Sequence, residues 1–198
     1  GAAKTAEAAG IKKIICFDMG GTSTDVAHFA GQYDLSFETE IAGKRLQSPM
    51  LHIHTVAAGG GSILGFTHGR MTAGPESAGA DPGPLAYRNN GQLTITDANL
   101  MTGRIHPDYF PKIFGTAHDQ ALDYQAVKSA FEHRSYDISS SLDGSPPLTA
   151  EECADGYLKI ANENMAAAIK KISVERGIDI KDYTLQCYGG AGGQHAVG

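Results

Sequence analysis

The chain has no tryptophan, three cysteines and no surplus of positive charge, with 16 Lys and Arg against 22 Asp and Glu for a formal charge of −6 at pH 7. Without a basic cluster, or Lys and Arg interleaved with aromatics, it lacks the electrostatic footprint of a nucleic-acid surface. Cys16, Cys153 and Cys187 are too few for a disulfide framework and lack the paired spacing of a zinc site, so they read as reduced thiols. No apolar run approaches the ~18 residues that span a bilayer. The Ala-rich start lacks the basic and strongly apolar regions of a secretory signal. These absences read together as a cytoplasmic protein with a small-molecule partner, no nucleic acid and no membrane. Its 198 residues suffice for one core, or one core with a sizeable appendage. The sequence opens on Gly1 rather than Met and stops at Gly198, after a glycine-rich run that a helix or strand should follow, so it reads as a piece of a longer protein.

Glycine is what the chain has in quantity, with 25 residues placed unevenly. Residues 11–17 form an apolar, β-forming run that ends at the turn signal Asp18-Met-Gly-Gly21 and reads as a buried strand. A second strand, Thr24 to Phe29, and a third, Tyr33 to Ile41, complete an expected meander over 11–41. From His52 to Tyr87, eight glycines and three prolines exclude a long helix and predict a looping excursion held by backbone turns. Residues 92–96 alternate like a strand, with Asp97 placed to N-cap a short helix through Met101 that Gly103 ends. An amphipathic helix is expected over 119–133 and a loop over 135–147. Thr149-Ala-Glu-Glu152 is a capping-box sequence before a long helix whose apolar positions run from Ala154 to Ile172, with Gly177 suited to the left-handed C′ position. Tyr183 to Tyr188 reads as a strand running into Gly189-Gly-Ala-Gly-Gly193.

Three constellations carry chemistry. In Phe17-Asp-Met-Gly-Gly-Thr-Ser-Thr-Asp25, Gly20 and Gly21 let the turn present its amides to a phosphate, and Thr22, Ser23 and Thr24 add hydroxyl donors. Asp18 and Asp25 flank the turn as two carboxylates able to hold hydrated Mg²⁺ or orient an attacking group. The plain alternative is a hairpin whose Asp and Thr side chains satisfy their own turn. The run Gly189, Gly190, Gly192, Gly193 and Gln194 permits flat approach of an adenine or ribose, and serves equally as a tight turn. His195 beside it reads as structural more readily than as a proton relay. His52-Ile-His54 on a strand would put two imidazoles on one face, with no third metal ligand evident nearby. The Gly59–Ser62 turn is a further candidate for phosphate or substrate contact. Arg70, Glu76 and Asp81 read as residues that order the loop.

The segments Phe-Asp-Met-Gly-Gly-Thr-Ser-Thr-Asp-Val (17–26), Ala-Ala-Gly-Gly-Gly-Ser-Ile (57–63), Gly-Pro-Glu-Ser-Ala-Gly-Ala-Asp-Pro-Gly-Pro (74–84), Thr-Asp-Ala-Asn-Leu (96–100) and Tyr-Gly-Gly-Ala-Gly-Gly-Gln-His-Ala (188–196) occur in that order. Together they resemble the A-type region of the hydantoinase, 5-oxoprolinase and acetone carboxylase family over nearly the whole chain. The Gly-Gly-Gln-His ending resembles the 5-oxoprolinase branch in particular. The resemblance implies an α/β, actin-like (ribonuclease H-like) ATPase subdomain, present as a partial domain with a Gly/Pro-rich insertion over 50–115 and helices plus an adenosine-loop strand over 119–198. It implies that residues 18–25 are the second phosphate hairpin, Gly20, Gly21, Thr22, Ser23 and Thr24 gripping phosphates, Asp18 and Asp25 acting on Mg²⁺ or the acceptor, and Gly189 to Gln194 bounding the nucleoside of ATP. The implied substrate is 5-oxoproline or a related cyclic amide, and the implied partners are the rest of the A-type region and the B-type region. The same motifs fit a subunit of an ATP-dependent ketone carboxylase, and a structural or subunit-docking module is the non-enzymatic reading.

Overall fold

A computed structural model describes residues 1–41, 43–141 and 146–197, and everything below concerns those residues. The strands are β1 (Ile14–Met19), β2 (Thr24–Phe29), β3 (Leu35–Ile41), β4 (Lys44–Leu51), β5 (His54–Val56), β6 (Ser62–Thr67), β7 (Arg70–Ser77) and β8 (Thr184–Tyr188). The helices are α1 (Ala2–Ala8), α2 (Ile95–Met101), α3 (Tyr124–Ser140) and α4 (Ala150–Ile172).

The Ile-Ile-Cys-Phe run places β1 at the centre of a four-stranded sheet ordered β5-β2-β1-β8. β2 runs antiparallel to β1, β8 runs parallel to it, and β5 pairs antiparallel with the outer side of β2. Alternation decides the two faces. Phe17 and Met19 of β1 and Val26 of β2 enter the main core, while Ile14 and Phe29 meet Ala3 and Ala6 of α1 on the other side. The expected three-stranded meander stops after two strands. β3 pairs only with β4, in a separate ribbon, and an isolated bridge between Phe29 and Tyr33 marks where the chain leaves the sheet. The exposed apolar residues Leu35 and Phe37 explain the error, because their alternation reads as a sheet strand although no third layer covers them.

α4 is the main wall of the core. Its capping box is formed as the sequence predicts, Glu152 N donating to Thr149 Oγ1 at 3.1 Å and Thr149 N to Glu152 Oε2 at 2.9 Å. Ala154, Tyr157, Leu158, Ala161, Met165, Ala168 and Ile172 are buried at three-to-four spacing. Gly177, with φ +76°, caps a short 3-10 turn at 174–176 rather than α4, whose C-cap is Ser173. α3 begins later and ends later than 119–133. Asp123 is its N-cap, accepting from Ala126 N at 3.1 Å, and the helix continues to Ser140 because Val127, Phe131, Ser135 and Ile138 keep one face buried past the serine-rich stretch. Of the loop expected over 135–147, residues 142–145 lie outside the described residues.

The Gly/Pro-rich segment is more ordered than its composition predicts. It supplies β5 to the central sheet and forms the β6–β7 hairpin, whose turn residues His68 and Gly69 both have positive φ. Arg134 Nη1 of α3 donates to Tyr157 Oη at 2.8 Å, and that phenol donates to Gly65 O at 3.0 Å, so both long helices hold β6. Residues 92–96 are not a strand, and Asp97 is not an N-cap. Thr94 caps α2 and Asp97 occupies N3, where its carboxylate accepts from Thr94 N at 2.8 Å and Thr94 Oγ1 at 2.9 Å. It also accepts from Leu85 N at 3.1 Å and Ala86 N at 2.8 Å, which staples the 85–87 turn to α2.

Asp97 is fully buried, and burial pushes its carboxyl up to about 6 despite these four donors. The folded-state value is raised above the unfolded one, so between about pH 4 and about pH 6 the folded chain holds a proton that the unfolded chain has released. The stability this contributes is complete below that window and is lost as pH rises through it. Urea unfolding across this range should show the parent losing stability relative to Asp97→Asn as pH rises; a constant difference would contradict the raised value. Asp97→Ala should cost about 2–4 kcal/mol near pH 4 by orphaning the buried amides of Ala86 and Thr94, and the cost should shrink as pH rises toward 6.

Candidate functional site

The sheet register brings four polar side chains into one row. Asp18 lies opposite Asp25 across β1 and β2, Tyr188 lies beside Asp18 on β8, and Thr55 lies opposite Asp25 on β5. Directly paired residues share a face, so the two carboxylates stand side by side with a hydroxyl at each end of the row. Thr55 Oγ1 donates to Asp25 Oδ1 at 2.5 Å, which orients that carboxylate and leaves its other oxygen available. Tyr188 is half-exposed, and its phenol is pushed up by partial burial first, then by Cys16, Asp18 and Asp25. It therefore remains a neutral donor at neutral pH.

The turn at the end of this row is Gly20-Gly-Thr-Ser23, closed by Gly20 N donating to Ser23 O at 3.0 Å. Its carbonyls are engaged from below. Gly60 N donates to Gly20 O at 3.0 Å and Gly61 N to Gly21 O at 2.6 Å, and Gly60 O in turn accepts from Thr96 N at 2.7 Å. The amides of Gly21, Thr22 and Ser23 have no partner among the described residues, and Gly21 and Thr22 are exposed. A turn with its Gly20, Gly21 and Ser23 carbonyls engaged and three amides unpartnered can serve as an anion cradle. The Gly59–Ser62 segment is thus the support of the candidate phosphate hairpin rather than a contact to phosphate. Thr24 also departs from expectation. It is fully buried and its Oγ1 donates to Ala58 O at 2.6 Å, so it anchors β2 and has no hydroxyl to offer a phosphate; Thr22 and Ser23 remain.

The second glycine run adjoins the first. Ala191 N donates to Met19 O at 3.0 Å, and a Cβ on Gly189, which has φ +85°, would lie 2.4 Å from Met19 O and 2.5 Å from Asp18 Oδ1. Gly192 is likewise a packing glycine, because a Cβ there would meet Cys187 Sγ at 2.7 Å. Gly190 and Gly193 face open space and are the positions of this run that leave room for a flat ligand. Gln194 turns inward. Its Oε1 accepts from Asn99 Nδ2 at 2.8 Å and its Nε2 donates to Gly190 O at 3.4 Å, so both ends of its amide are engaged in shaping the loop. His195 is buried, with Nε2 at 3.0 Å from Asn99 Nδ2 and Nδ1 at 2.8 Å from Asn162 Oδ1. Burial, with the Arg104 guanidinium second, pushes the imidazole down to about 4, so it is neutral at neutral pH.

His52 is drawn into a cluster with Asp34 and Arg176 rather than into a set with His54. His52 Nδ1 lies 3.3 Å from Asp34 Oδ2 and 3.2 Å from Arg176 Nη1, in a cluster where Arg176 also grips Asp34 with Nη2 at 3.2 Å from Oδ1. Arg176 holds the Asp34 carboxyl below its ordinary value. Among the described residues no group of three or more His, Cys, Asp and Glu is placed to bind a metal. Asp18 and Asp25 are a pair, a number that suits Mg²⁺, which takes one or two carboxylates and completes its shell with phosphate oxygens and water. Tyr188 and Asn99 stand within matched segments and Thr55 and Asn162 outside them, and the sequence assigns none of them a role, because each acts across a strand register or a helix contact.

The hydantoinase/oxoprolinase family pattern matches residues 1–198. The chain belongs to the hydantoinase/oxoprolinase family. Within it, a 5-oxoprolinase of Dictyostelium discoideum is 50% identical over 185 residues, which cover 92% of this chain and 15% of that protein. The solved ATP-dependent caprolactamase of Pseudomonas jessenii is 32% identical with a TM-score of 0.83, over 99% of this chain and 27% of that one. A nucleotide-free acetone carboxylase, described for ATP-dependent acetone carboxylation, is 27% identical with a TM-score of 0.81, over 100% of this chain and 27% of its own. The mixed α/β architecture is thus shared with these two solved structures, and the chain spans a small part of the length of each relative it matches. No helix among the described residues is long and apolar enough to cross a membrane.

The support beneath the hairpin is testable by bulk alone. A Cβ on Gly59 would lie 2.6 Å from Gly21 O, so Gly59→Ala should destabilise the chain by about 1–3 kcal/mol in urea unfolding. Gly193→Ala, which meets nothing within 4 Å, should stay within about 0.5 kcal/mol of the parent. Equal effects at the two positions would contradict the clamp.

Proposed function

We propose that this chain is the nucleotide-binding half of an ATP-dependent cyclic amide hydrolase, which phosphorylates 5-oxoproline or a related lactam or hydantoin so that water can open the ring. The observation that carries the reading is the carboxylate row Asp18–Asp25 directly beneath a turn whose amides are free. Identity near 50% to a 5-oxoprolinase, against 27% to an acetone carboxylase, favours the cyclic amide over the ketone. The central hairpin flanked by parallel β8 is the arrangement expected of an actin-like, ribonuclease H-like ATPase subdomain. Such a subdomain supplies one side of a nucleotide cleft, the other coming from the rest of the A-type region, with the B-type region completing ring opening.

Each residue has a physical part in this scheme. The amides of Gly21, Thr22 and Ser23, with the Thr22 and Ser23 hydroxyls, donate to β- and γ-phosphate oxygens. Being fixed in advance by the Gly60 and Gly61 contacts, they need no reorganisation as charge spreads over the transferring group. Mg²⁺, when bound by Asp18 and Asp25 with the phosphates, would neutralise charge on the β- and γ-oxygens. Thr55 holds Asp25 in one orientation. Transfer of the γ-phosphoryl group to the amide oxygen releases ADP and the amide N–H proton and gives an imidoyl phosphate. Water then adds at its carbon and the ring C–N bond breaks to leave an acyl phosphate. A second water breaks the carbon–phosphate oxygen bond, yielding the ring-opened amino acid and inorganic phosphate. Gly190 and Gly193 leave room for the nucleoside beside the hairpin.

The test is calorimetry with Mg²⁺-ATP on the full polypeptide that carries residues 1–198, followed by hydrolysis assays with and without 5-oxoproline. The parent should bind ATP and hydrolyse it in a 5-oxoproline-dependent way, and Asp25→Ala should lower turnover by about a hundredfold or more. Unchanged turnover in Asp25→Ala would remove the carboxylate row from the mechanism. A full polypeptide indifferent to nucleotide would leave the glycine turns as turns and favour the docking module.

A further inference from the structure

The Gly190–Gln194 loop is held by a directed chain of hydrogen bonds that runs from Gln194 through the buried Asn99 of α2 and His195 to the half-buried Asn162 of α4. Gln194 Nε2 faces Gly190 O at 3.4 Å, which turns its Oε1 toward α2. Asn99 Nδ2, on α2, serves two acceptors, Gln194 Oε1 at 2.8 Å and His195 Nε2 at 3.0 Å. With Nε2 accepting, the ring proton sits on Nδ1 and is donated to Asn162 Oδ1 of α4 at 2.8 Å. With Gln194 Nε2 set on Gly190 O, the polarity runs in one direction. Reversing the Asn99 amide would set its oxygen against Gln194 Oε1 and the lone pair of His195 Nε2. Consistent with this, Asn99 Oδ1 is left buried without a partner, a penalty accepted because both donors on Nδ2 are used. Arg104 Nη1 closes the loop from outside by donating to Gln194 O at 3.0 Å. A protonated His195 would turn a second N–H against Asn99 Nδ2, and burial together with Arg104 opposes that charge.

The geometry points to Asn162, His195 and Asn99 as positioning residues for the nucleoside: a buried relay that sets the shape of the Gly190–Gln194 loop, with His195 locked as the neutral Nδ1–H tautomer. The inference rests on the reading of this loop as the nucleoside side of the site, and adds what determines its form. Glycine makes the loop able to adopt many shapes. The relay selects one. It reaches Gly190, a position open to a ligand, through Gln194, and ends on α4, the main wall of the core. Because it does not touch the Gly20–Ser23 turn, its loss should affect the nucleoside and spare the phosphates.

Asn162 is the informative position, since it is half-buried on α4 and, among the described residues, its hydrogen bond to the loop goes to the imidazole. In the full polypeptide, calorimetry with Mg²⁺-ATP and with Mg²⁺-tripolyphosphate separates the two halves of the ligand. Asn162→Ala should weaken ATP about tenfold and leave tripolyphosphate unchanged. Asn162→Asp, which keeps an acceptor for the Nδ1 proton, should restore most of the ATP affinity. Hydrogen exchange followed by mass spectrometry should show faster exchange of the peptide spanning 189–196 in Asn162→Ala only. Equal weakening of both ligands, or no change in either, would overturn the relay. If the parent binds neither ligand, the nucleotide reading fails on its own account, and unchanged exchange over 189–196 would overturn the relay independently.

Discussion

The contact on which the site depends is the docking of Gly59–Gly61 under the turn between β1 and β2. Two hydrogen bonds from Gly60 and Gly61 amides occupy the Gly20 and Gly21 carbonyls. With the Gly20 and Gly21 carbonyls engaged from below, the amides of Gly21, Thr22 and Ser23 have no hydrogen-bond partner among the described residues, which gives the turn donors it can offer to an anion. The approach is possible only because Gly59 lacks a side chain; any Cβ there would run into the backbone of Gly21 and Thr22. The support is itself supported, since Gly60 O accepts from both Thr96 N and Thr96 Oγ1, and Gly61 O accepts from Ala78 N. Thr96 belongs to α2, whose first turn is stapled by the buried Asp97. A chain of backbone contacts thus runs from a buried carboxylate to the candidate phosphate turn.

The glycines divide by physical role. Gly59, Gly61, Gly189 and Gly192 are packing glycines, where another backbone or a sulfur occupies the place of a side chain. Gly21, Gly190 and Gly193 face open space. Motif spacing treats both groups alike, although only the second leaves room for a ligand. The same division separates Thr24 from its neighbours. Three hydroxyls stand in sequence, but β2 begins at Thr24, which shares the core face of Val26, while Thr22 and Ser23 lie in the turn before the strand, exposed and half-buried.

Much of the frame was legible. β1, β2, the strand before the second glycine run and the capping box of α4 all carry local signals in hydrophobic run, turn residues or capping spacing. What failed were boundaries and memberships. α3 overran its expected end because the buried positions Ser135 and Ile138 continue a face that serine content conceals. β5, with three residues, is too short for any periodicity, and it exists because β2 offers an open edge. β3 has strand character and its membership in a separate ribbon is a matter of pairing, which alternation does not encode.

The amino-acid sequence by itself determined the family, the hairpin with its two flanking carboxylates, the long capped helix and the second glycine run, because each is written in residues close together in the chain. Tertiary structure alone decided that Thr55 and Tyr188 extend the carboxylate row, that the third glycine cluster supports the hairpin rather than meeting a ligand, and that His195 is tied to Asn99 and Asn162. It also decided that His52 joins Asp34 and Arg176 instead of pairing with His54. The reason is common to all four. Hydrogen bonds and ion pairs depend on distances that packing sets between segments far apart in the chain, and residue type and spacing specify which groups are able to bond but not which of them meet.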